Sequence, residues 1–91
     1  MTDEEREVLA RFFTGTQLVE VPANRAKRWV VLQRLALEFD IGRHYSEAEV
    51  NEILGAFHDD TATLRRHLVD EEFLDRAGGE YWRSGGRVDV S

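Results

Sequence analysis

Two helical repeats joined by a short polar turn, followed by a glycine-centred aromatic hairpin, constrain this chain more than anything else in it. The stretch runs from Ser46 to Arg83. Ser46-Glu47-Ala48-Glu49 is a capping box: the serine hydroxyl accepts from the N–H three residues on, and Glu49 reaches back to the serine N–H. Val50, Ile53, Leu54 and Phe57 then form one apolar stripe at helical spacing. The stripe stops at His58-Asp59-Asp60, where an aspartate can cap a second helix. That helix is expected from about Thr61 to Glu72, with Leu64 and Leu68 on one face and Ala62, Arg66 and Val69 on the other. Gly78-Gly79 can supply the positive φ angles of a tight turn, and Tyr81-Trp82 favours strand. Helix, short turn, helix and hairpin predict an α+β fold: a winged helix-turn-helix with an extra N-terminal helix and a short extended segment.

Upstream, Thr2 or Asp3 can cap a helix reaching about Phe13, with Val8, Leu9, Phe12 and Phe13 apolar. Thr14-Gly15-Thr16 ends it. Leu18-Val19-Glu20-Val21 alternates like a short strand that Pro22 closes. A longer helix is expected from about Ala23 to Phe39, burying Trp29, Leu32, Leu35, Ala36 and Phe39. Asp40-Ile41-Gly42 turns the chain, and Arg43-His44-Tyr45 can add a strand beside the hairpin. Tyr81 and Trp82 point to opposite faces, so one buries and the other lies exposed. Residues 1–83 therefore read as one domain, with 1–17 an N-terminal helix and turn and 18–83 the core. Residues 84–91 read as a flexible tail.

Ninety-one residues allow one modest core, and 42% apolar content suffices for it. No cysteine is present, which removes disulfides and thiolate chemistry. No apolar run approaches the roughly 20 residues that span a bilayer, and the acidic start lacks a signal peptide's pattern. A cytoplasmic protein without membrane contact is the expectation. The net charge of −6 argues against easy nucleic-acid binding, which rests on Lys and Arg neutralising phosphate. Between Pro22 and Tyr45, however, Arg25, Lys27, Arg28, Arg34 and Arg43 outnumber Glu38 and Asp40.

Several motifs together carry a family resemblance. They are Val21-Pro22-Ala23-Asn24-Arg25-Ala26-Lys27-Arg28, the run from Arg43 to Leu54, Phe57-His58-Asp59-Asp60, the run from Ala62 to Asp70, and Gly78-Gly79-Glu80-Tyr81-Trp82-Arg83. Across roughly Leu18 to Arg83 the chain resembles the DUF2087 family, a bacterial domain found alone or fused to regulators with an ArsR-like winged helix. The resemblance implies a setting in transcriptional regulation and no particular ligand. One departure is local: winged helices often place glycine after the second helix, where this chain has Glu72. Glutamate does not easily take the left-handed cap conformation, so a different entry angle for the hairpin is expected.

Two functions follow as expectations. In the first, the chain is a DNA-binding transcriptional regulator or an accessory domain of one. Thr63, Arg65 and Arg66 of the second helix would enter the major groove, beside Thr61 and His67. Arg25, Lys27 and Arg28 would meet phosphates, and Arg76 and Arg83 would follow the backbone or minor groove. One recognition helix covers one half-site, so a homodimer on double-stranded DNA is implied. In the second, the same frame is a protein-interaction module that does not bind DNA. Asp59, Asp60, Asp70, Glu71 and Glu72 surround the arginines and would repel phosphate. Arg76 and Arg83 can equally pair across strands with Asp75 or Glu80. His44, His58 and His67 match no compact metal spacing. His58 is expected in the turn and His44 beside the core. Neither a catalytic set nor a cofactor loop is visible, so the chain is not expected to be an enzyme.

Overall fold

The computed structural model describes residues 2–85. Capping explains where its helices begin. α1 (Asp3–Phe12) starts at Thr2, whose hydroxyl accepts from the Glu5 N–H at 3.2 Å while the Glu5 carboxylate accepts from the Thr2 N–H at 3.1 Å. α2 (Arg25–Ala36) starts at Asn24, whose side-chain oxygen accepts from the Lys27 N–H. α3 (Glu47–Gly55) carries the expected box at Ser46, and α4 (Thr61–Asp70) is capped by Asp60, which accepts from the Thr63 N–H. Each cap satisfies an N–H that the first helical turn leaves without a partner.

Between α1 and α2 lies a small hairpin, β1 (Phe13–Thr14) and β2 (Gln17–Leu18), turning at Gly15 with φ +63°. The strand expected over 18–21 is thus only Gln17–Leu18, and its partner comes from the end of α1. Two hydrogen bonds anchor it: the Phe57 carbonyl accepts from the Leu18 N–H and from the Gln17 side chain, both at 2.8 Å. Val19 then donates to the Phe12 carbonyl, and its side chain stays exposed.

The second sheet has three antiparallel strands, β3 (His44–Ser46), β4 (Leu74–Ala77) and β5 (Glu80–Arg83), in the order β3-β5-β4. Tyr45 pairs with Tyr81 in register, and both bury on the inner face. The Tyr45 ring meets Phe39 edge-on at 5.2 Å, and its hydroxyl accepts from the Asp40 N–H at 2.8 Å, so the buried oxygen is satisfied. On the outer face, His44 and Trp82 stack at 4.7 Å. Of the adjacent aromatics, then, Tyr81 buries and Trp82 is half-covered; His44, expected beside the core, is exposed.

One core lies between the helices and the inner face of this sheet. Val31, Leu32 and Leu35 of α2, Val50 and Leu54 of α3, and Leu64 and Leu68 of α4 are fully buried. The described residues thus form a small α+β unit of four helices and two antiparallel sheets. No helix among the described residues is long and apolar enough to cross a membrane. Trp29, expected inside, is 39% exposed. It lies three residues before Leu32 but at the margin of the stripe, and only one side of its ring packs, tilted, on Phe73 at 5.3 Å.

The sharpest departure is Glu72. It adopts φ +63°, the left-handed conformation thought difficult for glutamate. The surrounding bonds show why it is held there. Phe73 donates to the Leu68 carbonyl at 2.9 Å and Glu72 to the Val69 carbonyl at 3.0 Å, the paired closure of a Schellman cap, and Phe73 and Leu68 are both buried. Of the expected tail, only Ser84 and Gly85 are among the described residues. Their N–H groups donate to the Phe73 carbonyl, and the Ser84 hydroxyl donates to the Glu72 carbonyl. Gly85 passes so close that a Cβ there would collide with the Glu72 carbonyl oxygen. Replacing Glu72 with glycine should therefore stabilise the domain by about 0.5–1 kcal/mol, since glycine carries no left-handed penalty but loses more chain entropy. Gly85→Ala should cost about 1–3 kcal/mol through overpacking. Thermal and urea unfolding of both variants would measure this; a neutral Gly85→Ala would show that the crossing is loose.

Candidate nucleic-acid interface

The cations expected to reach DNA begin at the first turn of α2, where no acidic residue offsets them. Positive charge is unfavourable at this end of a helix, and the fold relieves it with groups from elsewhere. Arg25 forms a two-pronged pair with Glu71, just past α4: Nε to Oε2 at 3.1 Å and Nη2 to Oε1 at 2.9 Å. Arg28 turns back instead, its Nη1 donating to the Ala23 carbonyl at 3.1 Å and the Pro22 carbonyl at 3.4 Å. Its Nε is buried without a partner among the described residues. Lys27 is half-buried beside α1. Further along, Arg34 pairs with Glu38 and Arg43 with Glu49. The basic stretch from Pro22 to Tyr45 is therefore largely met by the protein's own acceptors.

On α4, Arg65 does not project from the helix as a free cation. Its Nη2 lies 3.0 Å from Oε1 of Glu47, and its Nη1 donates to the Asn51 side chain. This guanidinium ties α4 to the first turns of α3, so it sets the angle between the helices as much as it offers charge. Sequence spacing gives no sign of the contact, because Glu47 and Arg65 lie on different helices and meet only through the crossing. Thr63 is half-buried and engaged with Asp60 through its backbone. Arg66 is exposed, and so is Arg76, whose guanidinium lies 5.7 Å from the Tyr81 ring centroid. Neither forms an ion pair among the described residues. The Arg83 Nε donates to the Gly85 carbonyl at 3.2 Å. The cross-strand acids considered for Arg76 and Arg83 are engaged differently: Asp75 accepts the Arg76 backbone N–H, and Glu80 meets Nδ1 of His44 at 2.8 Å.

The N-terminus of α4, the end that a groove-reading helix would present, is flanked by exposed Asp59 and Asp60. Asp60 already fills the anion seat that the helix dipole creates there. The hydrogen bonds from Thr63 hold its carboxyl below the usual range. Deeper on the helix, burial pushes the His67 imidazole down, and the charges of Arg28 and Arg66 push the same way. His58 accepts the Asp60 N–H within the turn, as expected of a turn residue. Among the described residues no group of His, Cys, Asp and Glu is arranged to hold a metal ion.

Glu71 is the group on which this layout can be checked. The hydrogen bond from Arg25 holds its carboxyl below the ordinary glutamate range, assisted by the charges of Arg25, Arg28 and His67 and opposed by burial. A carboxylate lowered in the folded state stabilises it above the unfolded value, and that contribution is lost as pH falls through the folded value. An NMR titration should place the Glu71 midpoint below that of a free glutamate, and Arg25→Ala should return it upward. A normal Glu71 midpoint in the unaltered protein would mean that the pair does not form in solution.

No curated protein and no solved structure matches the chain. A family model does match, over residues 17–83, and its description is an uncharacterized protein conserved in bacteria. The match covers most of the chain and begins at the strand that Phe57 anchors, so the chain belongs to the DUF2087 family.

Proposed function

We propose that this chain is a winged-helix domain whose exposed faces bind protein rather than DNA. Support for the frame comes from the order of elements: α2, β3, α3, α4 and then the β4-β5 hairpin, with β5 between β3 and β4. In that frame α4 takes the place of the recognition helix and the hairpin that of the wing. The interaction reading is carried by one observation. Arg25 and Arg65, two of the cations expected to reach DNA, are each held by a carboxylate of another element.

Each pair keeps one exposed member, Arg25 in one and Glu47 in the other, so phosphate could reach the pair and displace the acid. The displaced carboxylate would then sit beside the DNA, as Asp59 and Asp60 do at the head of α4. At a net charge of −6 the long-range field also opposes approach. A DNA-binding regulator, or an accessory domain of one, is the second reading. Exposed Arg66 on the helix and Arg76 on the hairpin, without ion pairs among the described residues, favour it, and it would require a homodimer to cover two half-sites.

Fluorescence anisotropy of mixed-sequence duplex DNA across a salt series separates the two. The interaction reading expects no saturable binding by micromolar folded protein, even at low salt. Tight binding that weakens steeply with salt, and loses part of that slope in Arg66→Ala and Arg76→Ala, would overturn it in favour of DNA.

A further inference from the structure

Two open grooves stand out on the surface. The one between α1 and α2, of 480 Å³, is lined by Glu4, Glu5 and Glu7 but also by Arg11 and Lys27, so its charge selects no class of partner. The other, of 620 Å³, lies where α4 passes into β4. Trp29, Val69, Phe73 and Leu74 give its apolar surface, and among the described residues Glu71, Glu72 and Asp75 give its charge. Among the described residues no Lys or Arg lines it. We propose that this groove docks a partner protein through a basic segment bearing an apolar side chain. The proposal rests on the interaction reading above and names the chemistry of the partner.

Three features carry it. The Trp29 ring rests on Phe73 with one side and remains 39% exposed, whereas Val31, Leu32 and Leu35, further along the same helix, are fully buried. A half-covered tryptophan is the kind of rigid apolar anchor that interfaces use. The acids are unevenly engaged: Arg25 takes Glu71, while Glu72 and Asp75 enter no ion pair among the described residues. Among the described residues, two exposed carboxylates of the groove are thus left without a cation, and a partner's Lys or Arg would complete them. The margin is also preformed. The Schellman closure at Glu72 and the hydrogen bonds from Ser84 and Gly85 fix the backbone around it, so little ordering is required on binding.

The test is a ¹⁵N NMR titration of the full chain with the peptide acetyl-Lys-Arg-Leu-Leu-Arg-Lys-amide, with its all-glutamate counterpart as control. Trp82→Phe assigns the two indole signals. The expected result is a saturable shift of the Trp29 indole N–H and of the Val69, Glu72 and Asp75 amides with the basic peptide alone. The double variant Glu72→Asn, Asp75→Asn should bind about five-fold more weakly, as two exposed charge contacts are lost. Asparagine tolerates the left-handed turn and keeps an acceptor for the Arg76 N–H, so the variant should stay folded. Shifts that do not saturate, that scatter over every acidic surface, or that survive the double variant would overturn the proposal. The same signals moving with protein concentration alone would make a second copy the occupant, and their response to Arg87→Ala without peptide would make it the chain's own C-terminal residues. Either outcome also overturns it. A failed peptide titration beside absent DNA binding removes the groove and leaves the interaction reading standing. DNA binding through Arg66 and Arg76 removes that reading itself.

Discussion

The reversal at Glu72 sets the relation between the helices and the larger sheet. α4 ends at Asp70, yet Phe73 and Leu74 must both enter the core. Adjacent residues of a strand point to opposite faces, so this pair can bury only at a corner, where the backbone turns sharply between helix and strand. The left-handed residue makes that corner. Once made, it brings Phe73 beneath Trp29 and presents the Phe73 carbonyl to the N–H groups of Ser84 and Gly85 at the end of the hairpin. Helix end, strand start and chain exit thus share one short segment. The apolar contact of Phe73 and Leu68 offsets the cost of a left-handed glutamate, which the protein tolerates where glycine would relax.

Much of the fold was legible because its signals are local. A cap at Thr2 or Asp3, the capping box at Ser46 and an aspartate cap before Thr61 place three helix starts to within a residue or two, and the structure uses Thr2, Ser46 and Asp60. The Gly78-Gly79 turn has the positive φ angles expected, and the strand around Tyr45 joins the hairpin as its pattern suggested. What escaped depends on contacts distant in sequence. Trp29 lies at the edge of its stripe, and periodicity alone does not say whether a neighbour covers that edge. Glu72 looked unable to turn left-handed because its penalty is local, whereas the burial that outweighs it comes from Phe73 and Leu68. The hairpin at Phe13–Leu18 is held from Phe57, some forty residues away.

The candidate site followed the same division. Sequence identified the arginines and the acids crowding them but could not assign partners. Glu71 was among the acids weighed against DNA, and it pairs with Arg25. Glu47 stands in the sequence only as part of the helix-start box, and it also meets Arg65 across the helix crossing. That double use explains why counting charge along the chain misleads here. The basic run before Tyr45 is real in composition, but three of its five cations end in ion pairs with Glu71, Glu38 and Glu49. A fourth, Arg28, faces backbone carbonyls.

The charge left over is therefore not the charge the sequence advertises. Among the described residues, Arg66 and Arg76 stay exposed without ion pairs, and Glu72 and Asp75 do so beside the Trp29 groove. A cation docked there would meet Trp29 and two carboxylates together, and its removal from water would strengthen each contact. An arginine on an open helix face meets no such set of groups, and salt weakens its long-range attraction. The Arg25–Glu71 pair biases the balance further. By neutralising the α2 cation nearest Glu71, it weakens the case for phosphate, and by occupying only one of the three acids that line the groove, it leaves the other two for a partner. The same ion pair thus argues against one function and helps shape the surface for the other.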